Sequence, residues 1–280
     1  MTFDNFPRSC RIIFVKSHKP QATSHKGYIV DVGSSWSAIR TIALRDKFNL
    51  PVVFIDPDSE SLARVDARAT DMKVAAAITT HDGEALFHYY QDGTHSLLEI
   101  NIDEVPKYID GHTGKTAKIE DWTAQRSEIV ECLTLRTLIS RLGITSIDFL
   151  KVDAQGHDLK VMESLGADIS IVRHFEVEVQ VMEFELYKGA SQLSEVMDFA
   201  SRSGFELIHS ESQTHNQERI LIFRNLQDLH QSTSVLSAEA LLETLAGSAP
   251  NAPKRSFTSY LSALLTKMFS HLKFGSSGNS

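Results

Sequence analysis

Short runs rich in β-branched residues alternate with segments of helical period along most of the chain, and this alternation constrains the fold more than any other feature. Residues 28–32 form the first such run, and the segment after it, residues 34–47, places apolar side chains three and four positions apart. Such alternation is typical of β-α units around a mostly parallel sheet. We therefore predict an α/β protein with seven strands in an open, doubly wound sheet.

The remaining elements follow from the same pattern. The predicted strands are 28–32, 52–56, 74–78, 147–152, 171–181, 205–210 and 219–223. The predicted helices are 34–47, 58–70, 134–142, 157–165 and 192–203. A short polar segment joins the last two strands, so we expect these two to pair antiparallel.

Two segments interrupt the alternation in the middle of the chain. The turn signal His81-Asp82-Gly83 precedes an apolar run at 85–90, which predicts a β-hairpin laid over the edge of the sheet. Residues 101–128 are polar, with few apolar positions in register, so this stretch is expected to be a long loop or mobile lid. Both segments are interpreted as an insertion into the sheet domain.

The two ends of the chain fall outside the alternating region. We divide the chain into an N-terminal extension at 1–26, a domain at 27–225 and a helical tail at 226–280. The tail predicts one helix at 234–245 and a second at 256–274, whose apolar face has basic flanks. That face is expected to pack on the domain or to make an oligomer contact; peripheral contact with an anionic membrane is the alternative.

Composition excludes several classes of protein. The net charge of −8 disfavours a broad grip on nucleic acid. Cys10 and Cys132 are too few for a disulfide framework and lack the spacing of a zinc site. The N-terminus has no basic start followed by a long apolar stretch, so neither a signal peptide nor a spanning helix is expected, and the cytoplasm is the predicted location.

The ends of three predicted strands hold residues suited to ligand binding. Open α/β sheets bind ligands beyond the carboxyl ends of their strands. Asp31 and Gly33 end the first strand, where glycine permits a sharp turn and close backbone approach. Asp56 ends the second strand, where it would bind a ribose or cap a helix. Asp153 ends the fourth, where it would act in the site or form a buried ion pair with Lys151.

The dinucleotide fingerprint G-x-G-x-x-G is absent after the first strand, which counts against an NAD-dependent oxidoreductase. Three stretches instead resemble the signatures of the FkbM-type S-adenosylmethionine-dependent methyltransferases. They are Tyr28-Ile-Val-Asp-Val-Gly33, Phe54-Ile-Asp-Pro-Asp58 and Ile147-Asp-Phe-Leu-Lys-Val-Asp-Ala-Gln-Gly-His-Asp158. The stretch Thr94-His-Ser-Leu-Leu98 and residues 130–139 are similar in order and spacing. The resemblance covers residues 27–224.

The resemblance implies a class I methyltransferase fold, which is Rossmann-like, with S-adenosyl-L-methionine as the cofactor. Members typically methylate hydroxyl groups of sugars or of polyketide-type natural products. An O-methyltransferase acting on a carbohydrate or secondary metabolite is therefore implied. The cofactor-binding residues implied are Asp31, Gly33, Ser34, Ser35, Asp56, Ala77, Ser96 and Asp153. Asp31 and Gly33 would hold the methionine part, Asp56 the ribose and Ala77 the adenine. Lys151, Asp153 and Gly156 would lie beside the reacting methyl.

The sequence departs from the family pattern at two places. The loop usually written G-A-N-x-G is Gly33-Ser-Ser-Trp-Ser37, and the usual acidic residue before the glycine of the third stretch is Gln155. These changes motivate a second hypothesis, a non-catalytic protein of the same fold that binds an adenosyl cofactor or acts as a scaffold.

An alcohol acceptor needs a general base or a metal within hydrogen-bonding reach. Asp153 is the first candidate base, and His157 and His95 follow. Glu178 belongs to a polar row on the fifth strand, with Glu176 and Gln180, that either lines the acceptor pocket or faces solvent. No compact metal-ligand spacing appears, so no metal site is predicted. The candidate catalytic residues are Asp153, His157, Lys151 and Glu178.

Overall fold

A computed structural model describes residues 12–14, 27–35, 38–91, 93–111, 113–227 and 236–248. Within these residues the chain forms eleven strands and six α-helices. The strands are β1 (Ile12–Phe14), β2 (Tyr28–Val32), β3 (Val52–Ile55), β4 (Met72–Val74), β5 (Ala77–Ile78), β6 (Gly83–Tyr89), β7 (Arg126–Leu133), β8 (Ile147–Val152), β9 (Val172–Gln180), β10 (Phe205–Gln213) and β11 (Glu218–Asn225). The helices are α1 (Ile39–Phe48), α2 (Ser59–Arg64), α3 (Leu135–Leu142), α4 (Asp158–Glu163), α5 (Leu193–Arg202) and α6 (Ala238–Ser248).

Eight of the strands form the central sheet, in the order β1-β4-β3-β2-β8-β9-β11-β10. The strands from β4 through β9 in this order are parallel, while β11 pairs antiparallel with β9 and with β10. The protein is therefore a mixed α/β protein with a mostly parallel central sheet. Strand order reverses at β2, which lies between β3 and β8, and such a switch point leaves a crevice at the carboxyl ends of the strands.

Local sequence explains where several helices begin and end. The Asp58 side chain caps α2 by accepting hydrogen bonds from the backbone N–H groups of Glu60 and Ser61. Thr134 caps α3 in the same way, through the N–H of Thr137. Gly143 ends α3 in the left-handed conformation that glycine adopts without steric cost. These residues determine where α2 and α3 begin and where α3 ends.

The hydrophobic core lies on both faces of the central sheet. Because successive side chains of a strand point to opposite faces, Ile29 and Val30 of β2 enter different clusters. One cluster includes Val30 and side chains of α3, α4 and α5, and the other includes Ile29 and side chains of α1, α2 and α6. Burial on both faces explains why the parallel strands are nearly continuous apolar runs.

The structure agrees with most of the predicted elements. β2 and β8 have the predicted bounds, and the last two strands pair antiparallel as predicted. α1 begins at Ile39, later than predicted, and α2 ends at Arg64, earlier than predicted. The central sheet of the described residues has eight strands where seven were predicted, because β1 adds an antiparallel edge strand beside β4.

Two predictions about the middle of the chain were wrong. The single strand at 74–78 is two strands, β4 in the central sheet and β5 in a smaller sheet of order β5-β7-β6. The predicted hairpin at 85–90 is reduced to one antiparallel bridge between His88 and Ser96, and along its length β6 pairs with β7, whose partner residues lie some forty positions later, as in the pair Leu86 and Ile129. Local turn signals identified the strand but could not identify a partner so distant in sequence.

The loop between β6 and β7 packs on the domain through aromatic side chains. It contains two short 3-10 turns, Val105–Lys107 and Ile119–Trp122. Tyr108 and Trp122 are buried and contact each other edge to face, with ring centroids 5.1 Å apart. Trp122 also contacts Tyr187, which lies between β9 and α5. The stretch that we interpreted as a loop is thus largely without strand or α-helix, apart from its last residues, which enter β7.

The helix predicted at 234–245 corresponds to α6. Leu241 and Leu245 are buried in the cluster shared with α1, and Lys47 lies 3.4 Å from Glu243. The predicted helix at 256–274 lies outside the described residues, and the three-part division of the chain stays a prediction. Among the helices of the described residues, none combines the length and the apolar character needed to cross a bilayer.

Candidate active site

Two adjoining cavities open at the carboxyl ends of β2, β3 and β8. The β3-side cavity is lined by the end of β3, by the start of the insertion and by α4's first turn. The β9-side cavity is lined by β8, β9 and the start of α1. Gly33, Ser35 and Asp153 line both cavities, so the two adjoin at these residues. The structure therefore brings the ends of the predicted strands together at one site.

Gly33 permits the close approach of β2 and β8 that shapes the cavities. Its φ is +80°, and a Cβ atom at this position would lie 1.8 Å from the backbone oxygen of Asp153. The next residue, Ser34, is buried and uses its hydroxyl on the backbone, donating to the Asp31 carbonyl at 2.6 Å and accepting from the Ile55 N–H at 3.1 Å. Gly33 is thus the position where only glycine fits, and Ser34 lies outside both cavities.

Asp31 places a buried carboxylate at the wall of the β9-side cavity. The residue is 0% exposed, and neither carboxylate oxygen accepts a hydrogen bond from the described residues. Its only close cation among these residues is Lys151, whose Nζ lies 3.6 Å from Oδ1. A buried carboxylate normally takes several hydrogen bonds, so this arrangement leaves room for a donor from a ligand.

Lys151 holds two carboxylates of the site. Its Nζ lies between Asp31 and Asp153 Oδ2, 3.3 Å from the latter. Burial alone would lower the pKa of Lys151, but the carboxylates of Asp31, Asp153, Glu176 and Glu178 outweigh burial and raise it. Lys151 is therefore a fixed cation at neutral pH, which suits it to orient carboxylates and makes it unsuited to act as a base.

Asp153 is held on both of its carboxylate oxygens. Lys151 contacts Oδ2, and the Gln155 amide donates to Oδ1 at 2.8 Å. Gln155 is itself oriented by Tyr187, whose buried hydroxyl lies 3.0 Å from Oε1 of Gln155 and 2.9 Å from the Thr94 carbonyl oxygen. A glutamate at position 155 could not donate to Asp153, so the amide gives this carboxylate a neutral partner.

The turn that carries Gln155 is tied down at each peptide unit. Gln155 has a φ of +50°, a conformation that non-glycine residues rarely adopt. Asp158 accepts from the N–H groups of Ala154 and Gly156 at 3.2 and 3.1 Å, and Ser96 donates to the Gln155 carbonyl at 2.9 Å. Burial, and then the charge of Asp153, raise the pKa of Asp158 to about 7 against the opposing hydrogen bonds.

The same contacts settle where two of the residues implied by the resemblance lie. Ser96 is buried and links the insertion to this turn, because its hydroxyl donates to the Gln155 carbonyl and accepts from the N–H of Leu98 within the insertion. Ser96 is therefore adjacent to the site but does not line either cavity. Gly156 occupies the turn at a φ of +89°, with the Ala190 Cβ 3.0 Å from where its own Cβ would be.

Asp56 lines the β3-side cavity. One of its oxygens accepts from the backbone N–H of Asp58 at 2.7 Å. Burial raises its pKa well above the ordinary value, and the nearby carboxylates of Asp58, Asp31 and Asp153 act in the same direction. The cap of α2 is supplied by Asp58, which leaves the second oxygen of Asp56 for a ligand. Ala77 also lines this cavity.

Both candidate histidines lie in the β3-side cavity, away from Lys151 and Glu178. His157 Nε2 is 2.9 Å from the Thr79 hydroxyl, and burial, together with the charges of Lys160 and His81, lowers its pKa to about 4. His157 is therefore neutral at physiological pH. His95 accepts from the backbone N–H of Tyr90 at 3.1 Å. Asp153 lines this cavity as well, so both histidines share a cavity with the first candidate base.

The three polar residues of β9, Glu176, Glu178 and Gln180, have different surroundings. Glu176 is buried and pairs with Arg40 of α1 at 2.7 Å. Glu178 is half-buried and lines the β9-side cavity beside Lys151 and Asp153. Gln180 does not line the cavity. The prediction that Glu178 is the best pocket candidate of the three is consistent with this placement, and Glu176 also reaches the cavity wall.

Most of the residues predicted for the site lie together. Those that line the cavities are Asp31, Gly33, Ser35, Asp56, Ala77, Lys151, Asp153, His157 and Glu178. Sequence reasoning missed Arg40, which lines the β9-side cavity, and the pair of Gln155 with Tyr187. Arg40 lies two positions into α1, and only the fold brings it opposite β9. Among the described residues, no group of three or more His, Cys, Asp or Glu side chains is arranged to hold a metal ion.

Comparison with known proteins identifies a family for most of the sheet domain. The family model described as the methyltransferase FkbM domain matches residues 25–207. Among solved structures, a crystal structure of TnmH is similar to 71% of this chain at 11% sequence identity, with a TM-score of 0.31. The chain spans about half the length of that structure, since the match covers 49% of it. No match to a curated protein was found.

Proposed function

Because this chain belongs to the FkbM methyltransferase family, we propose that it transfers the methyl group of S-adenosyl-L-methionine to a hydroxyl of a carbohydrate or secondary metabolite. The observation that carries the proposal is Asp31, a buried carboxylate at the switch point of the sheet whose oxygens accept no hydrogen bond from the described residues. An ammonium group of a ligand would satisfy it. The strand order of the central sheet supports a class I methyltransferase fold.

The residues present fit this cofactor along the length of the two cavities. Asp31 would bind the ammonium of the methionine part, and the second oxygen of Asp56 would accept from the ribose hydroxyls. The β3-side cavity, with Ala77 and the neutral His157, would hold the adenine. When bound, the cofactor supplies an electrophilic methyl group. This placement puts the reactive end near Asp153, which both cavities share.

Within this proposal Asp153 is the base that takes the proton of the acceptor hydroxyl. Lys151 and Gln155 each occupy one oxygen of Asp153 and fix its direction, and each carboxylate oxygen keeps a further lone pair for the acceptor. A carboxylate positioned in this way contributes through orientation as much as through basicity. Lys151 and Gln155 are positioning residues, because they act through Asp153.

The second candidate function is a non-catalytic protein that binds an adenosyl cofactor. It is favoured by one observation, namely that Gln155 occupies Asp153 with a neutral amide where an acidic residue is usual in the family. The two hypotheses make the same prediction for cofactor binding and opposite predictions for turnover.

Calorimetric titration with S-adenosylmethionine and with S-adenosylhomocysteine tests the common part. Incubation with S-adenosylmethionine and a metabolite extract, read by mass spectrometry for a product heavier by one CH₂ unit, tests catalysis. Binding together with a methylated product supports the O-methyltransferase. Binding with no product from carbohydrate or secondary-metabolite extracts supports the second candidate, and no binding of either nucleoside contradicts both.

The cytoplasmic location remains our prediction, as do the three alternatives for the second tail helix, namely packing on the domain, contact with a second copy and contact with an anionic membrane. That helix, predicted at 256–274, lies outside the described residues. Sedimentation of the full chain alone and with anionic vesicles tests these alternatives.

A further inference from the structure

The β9-side cavity carries more negative than positive groups. Among the described residues that line it, the carboxylates are Asp31, Asp153, Glu176 and Glu178, and the cations are Arg40 and Lys151. Ligands that enter a cavity with such a surplus of carboxylates are selected by charge, because field lines are concentrated in a poorly solvated cleft. A carboxylate of this cavity that pairs with neither the protein nor the proposed cofactor would be available to bind a cationic group of the acceptor.

Three of the four carboxylates have partners. Glu176 pairs with Arg40 at 2.7 Å. Asp153 contacts Lys151 at 3.3 Å and accepts from Gln155 at 2.8 Å. Asp31 lies 3.6 Å from Lys151 and is the residue to which the proposed function assigns the cofactor's ammonium.

Glu178 is the carboxylate that remains. It lines the cavity from β9, and among the described residues its side-chain carboxylate has neither a hydrogen bond nor an ion pair within 4 Å. Its neighbour on β11 is Ile220, an apolar side chain that cannot donate. Glu218, two residues before Ile220, adds a further carboxylate nearby, and its own partner is the Tyr108 hydroxyl at 3.1 Å.

The electrostatic surroundings of Glu178 agree with this geometry. Burial raises its pKa well above the ordinary value, and the carboxylates of Asp153, Glu218 and Asp158 raise it further, while Lys151 opposes them. A nearby cation would reverse this effect by favouring the charged form. A phosphate or carboxylate group placed here would hold Glu178 in its neutral form, gain no ion pair from it and meet the carboxylate of Asp153.

We infer that the methyl acceptor carries a cationic amine that pairs with Glu178, next to the hydroxyl that is methylated. The inference rests on the proposed function, because it takes Asp31 as the site of the cofactor's ammonium. It narrows the acceptor class from hydroxylated metabolites in general to hydroxylated amines, and it excludes phosphorylated acceptors.

Ligand-observed NMR titration of the full-length protein saturated with S-adenosylhomocysteine tests the inference, using glucosamine, glucose and glucose 6-phosphate as probes on one scaffold. We expect glucosamine to bind about tenfold more tightly than glucose, because a charge-assisted hydrogen bond exceeds a neutral one by roughly that factor. We expect glucose 6-phosphate to bind more weakly than glucose.

The Glu178→Gln variant keeps the shape and removes the charge, so it should abolish the advantage of glucosamine while the affinity for S-adenosylhomocysteine changes less than about threefold. Glu183→Gln, which makes the same change at an exposed residue outside both cavities, should leave the advantage intact. Failure of S-adenosylhomocysteine to bind contradicts the proposed function itself. If it binds, absent glucosamine binding, equal binding of the three sugars, or a preference retained in Glu178→Gln overturns the inference alone.

Discussion

Replacing Asp31 with asparagine separates the binding role of this residue from its role in the fold. The carboxylate is fully buried, accepts no hydrogen bond from the described residues and has Lys151 at 3.6 Å. Asparagine keeps the size of the side chain and removes its charge. In the protein without cofactor the change breaks one ion pair, whereas in the complex it removes the proposed partner of an ammonium group.

The effect on the free energy of unfolding without cofactor is expected to be small. An ion pair at the distance between Asp31 and Lys151 is worth about 4.6 kcal/mol at an effective dielectric constant of about 20. Removing the charge also removes the desolvation cost of a buried carboxylate, which is of similar size. Lys151 retains Asp153 as a partner. We therefore expect a change within about 2 kcal/mol in either direction.

The effect on cofactor binding is expected to be large. Loss of a hydrogen bond between charged groups costs about 1.5–3 kcal/mol, which weakens binding roughly 10- to 150-fold. At a cofactor concentration of about 100 times the wild-type Kd, ligand binding stabilises the wild type by about 2.7 kcal/mol; a hundredfold weaker variant gains only about 0.4 kcal/mol. The cofactor-induced rise in Tm should therefore fall from about 5–11 °C to about 1–2 °C.

Calorimetry gives the Kd, and thermal unfolding with and without S-adenosylmethionine gives the Tm shift. Asp168→Asn serves as the matched control, since it makes the same change at a half-exposed carboxylate that pairs with Arg136 outside the cavities. The control should bind as the wild type does. The reasoning is refuted if Asp31→Asn folds normally and binds S-adenosylmethionine within twofold of the wild-type Kd.

Four further changes test the other parts of the site. Asp56→Ala should weaken S-adenosylmethionine binding roughly 10- to 150-fold in calorimetry, with little effect on turnover at saturating cofactor; unchanged affinity would mean that the residue only orders the turn before α2. Asp153→Asn should lower the rate of product formation by about 10²–10⁴ with a modest change in affinity, and a normal rate would make Asp153 structural. Gly33→Ala should destabilise the fold by more than about 2 kcal/mol in denaturant unfolding, because its Cβ would clash with a backbone oxygen at a positive φ; wild-type stability would contradict this geometry. The pKa of Asp158 is raised to about 7 in the folded state, so its contribution to the free energy of unfolding is present below about pH 4 and is lost as the pH rises towards 7. Asp158→Asn should therefore reduce the fall in the free energy of unfolding over this pH range, measured in a pH series of unfolding experiments. An unchanged slope would assign the fall to other groups.

The fold was predictable where the information is local. The β-α alternation predicted the parallel strands and their order of appearance, and β2 and β8 have the predicted bounds because apolar runs flanked by turn residues delimit them. The pairing of β6 with β7 was not predictable from the turn before β6, because the partner strand lies beyond the long loop. β1 is only three residues long, too short for periodicity to identify.

Strand topology made part of the candidate site predictable from the sequence, whereas side-chain directions in the loops were not predictable. Asp31 lies next to the last residue of β2, and Asp56 and Asp153 directly follow β3 and β8. The carboxyl ends of these parallel strands share one edge, so the convergence of the three residues follows from the strand pattern. The directions in which loop side chains point cannot be predicted from the spacing of residues along the sequence. Ser34 and Ser96 are predicted to contact the cofactor, and the structure adds that each uses its hydroxyl on backbone groups of neighbouring segments.

The pairing of β5 with β7 has a consequence for how this architecture can diversify. Ala77 lies beside Cys132, and the Thr79 N–H donates to the Leu133 carbonyl at 3.0 Å, so the two ends of the insertion meet in the smaller sheet. Everything between these points is a closed excursion whose length has little bearing on the strands beneath, because the entropy of closing a loop grows only logarithmically with its length. Evolution, or an engineer, can exchange this excursion for one of another size and reshape the wall that Phe87, His95 and Leu97 give the β3-side cavity, while the ends of the central strands stay in register.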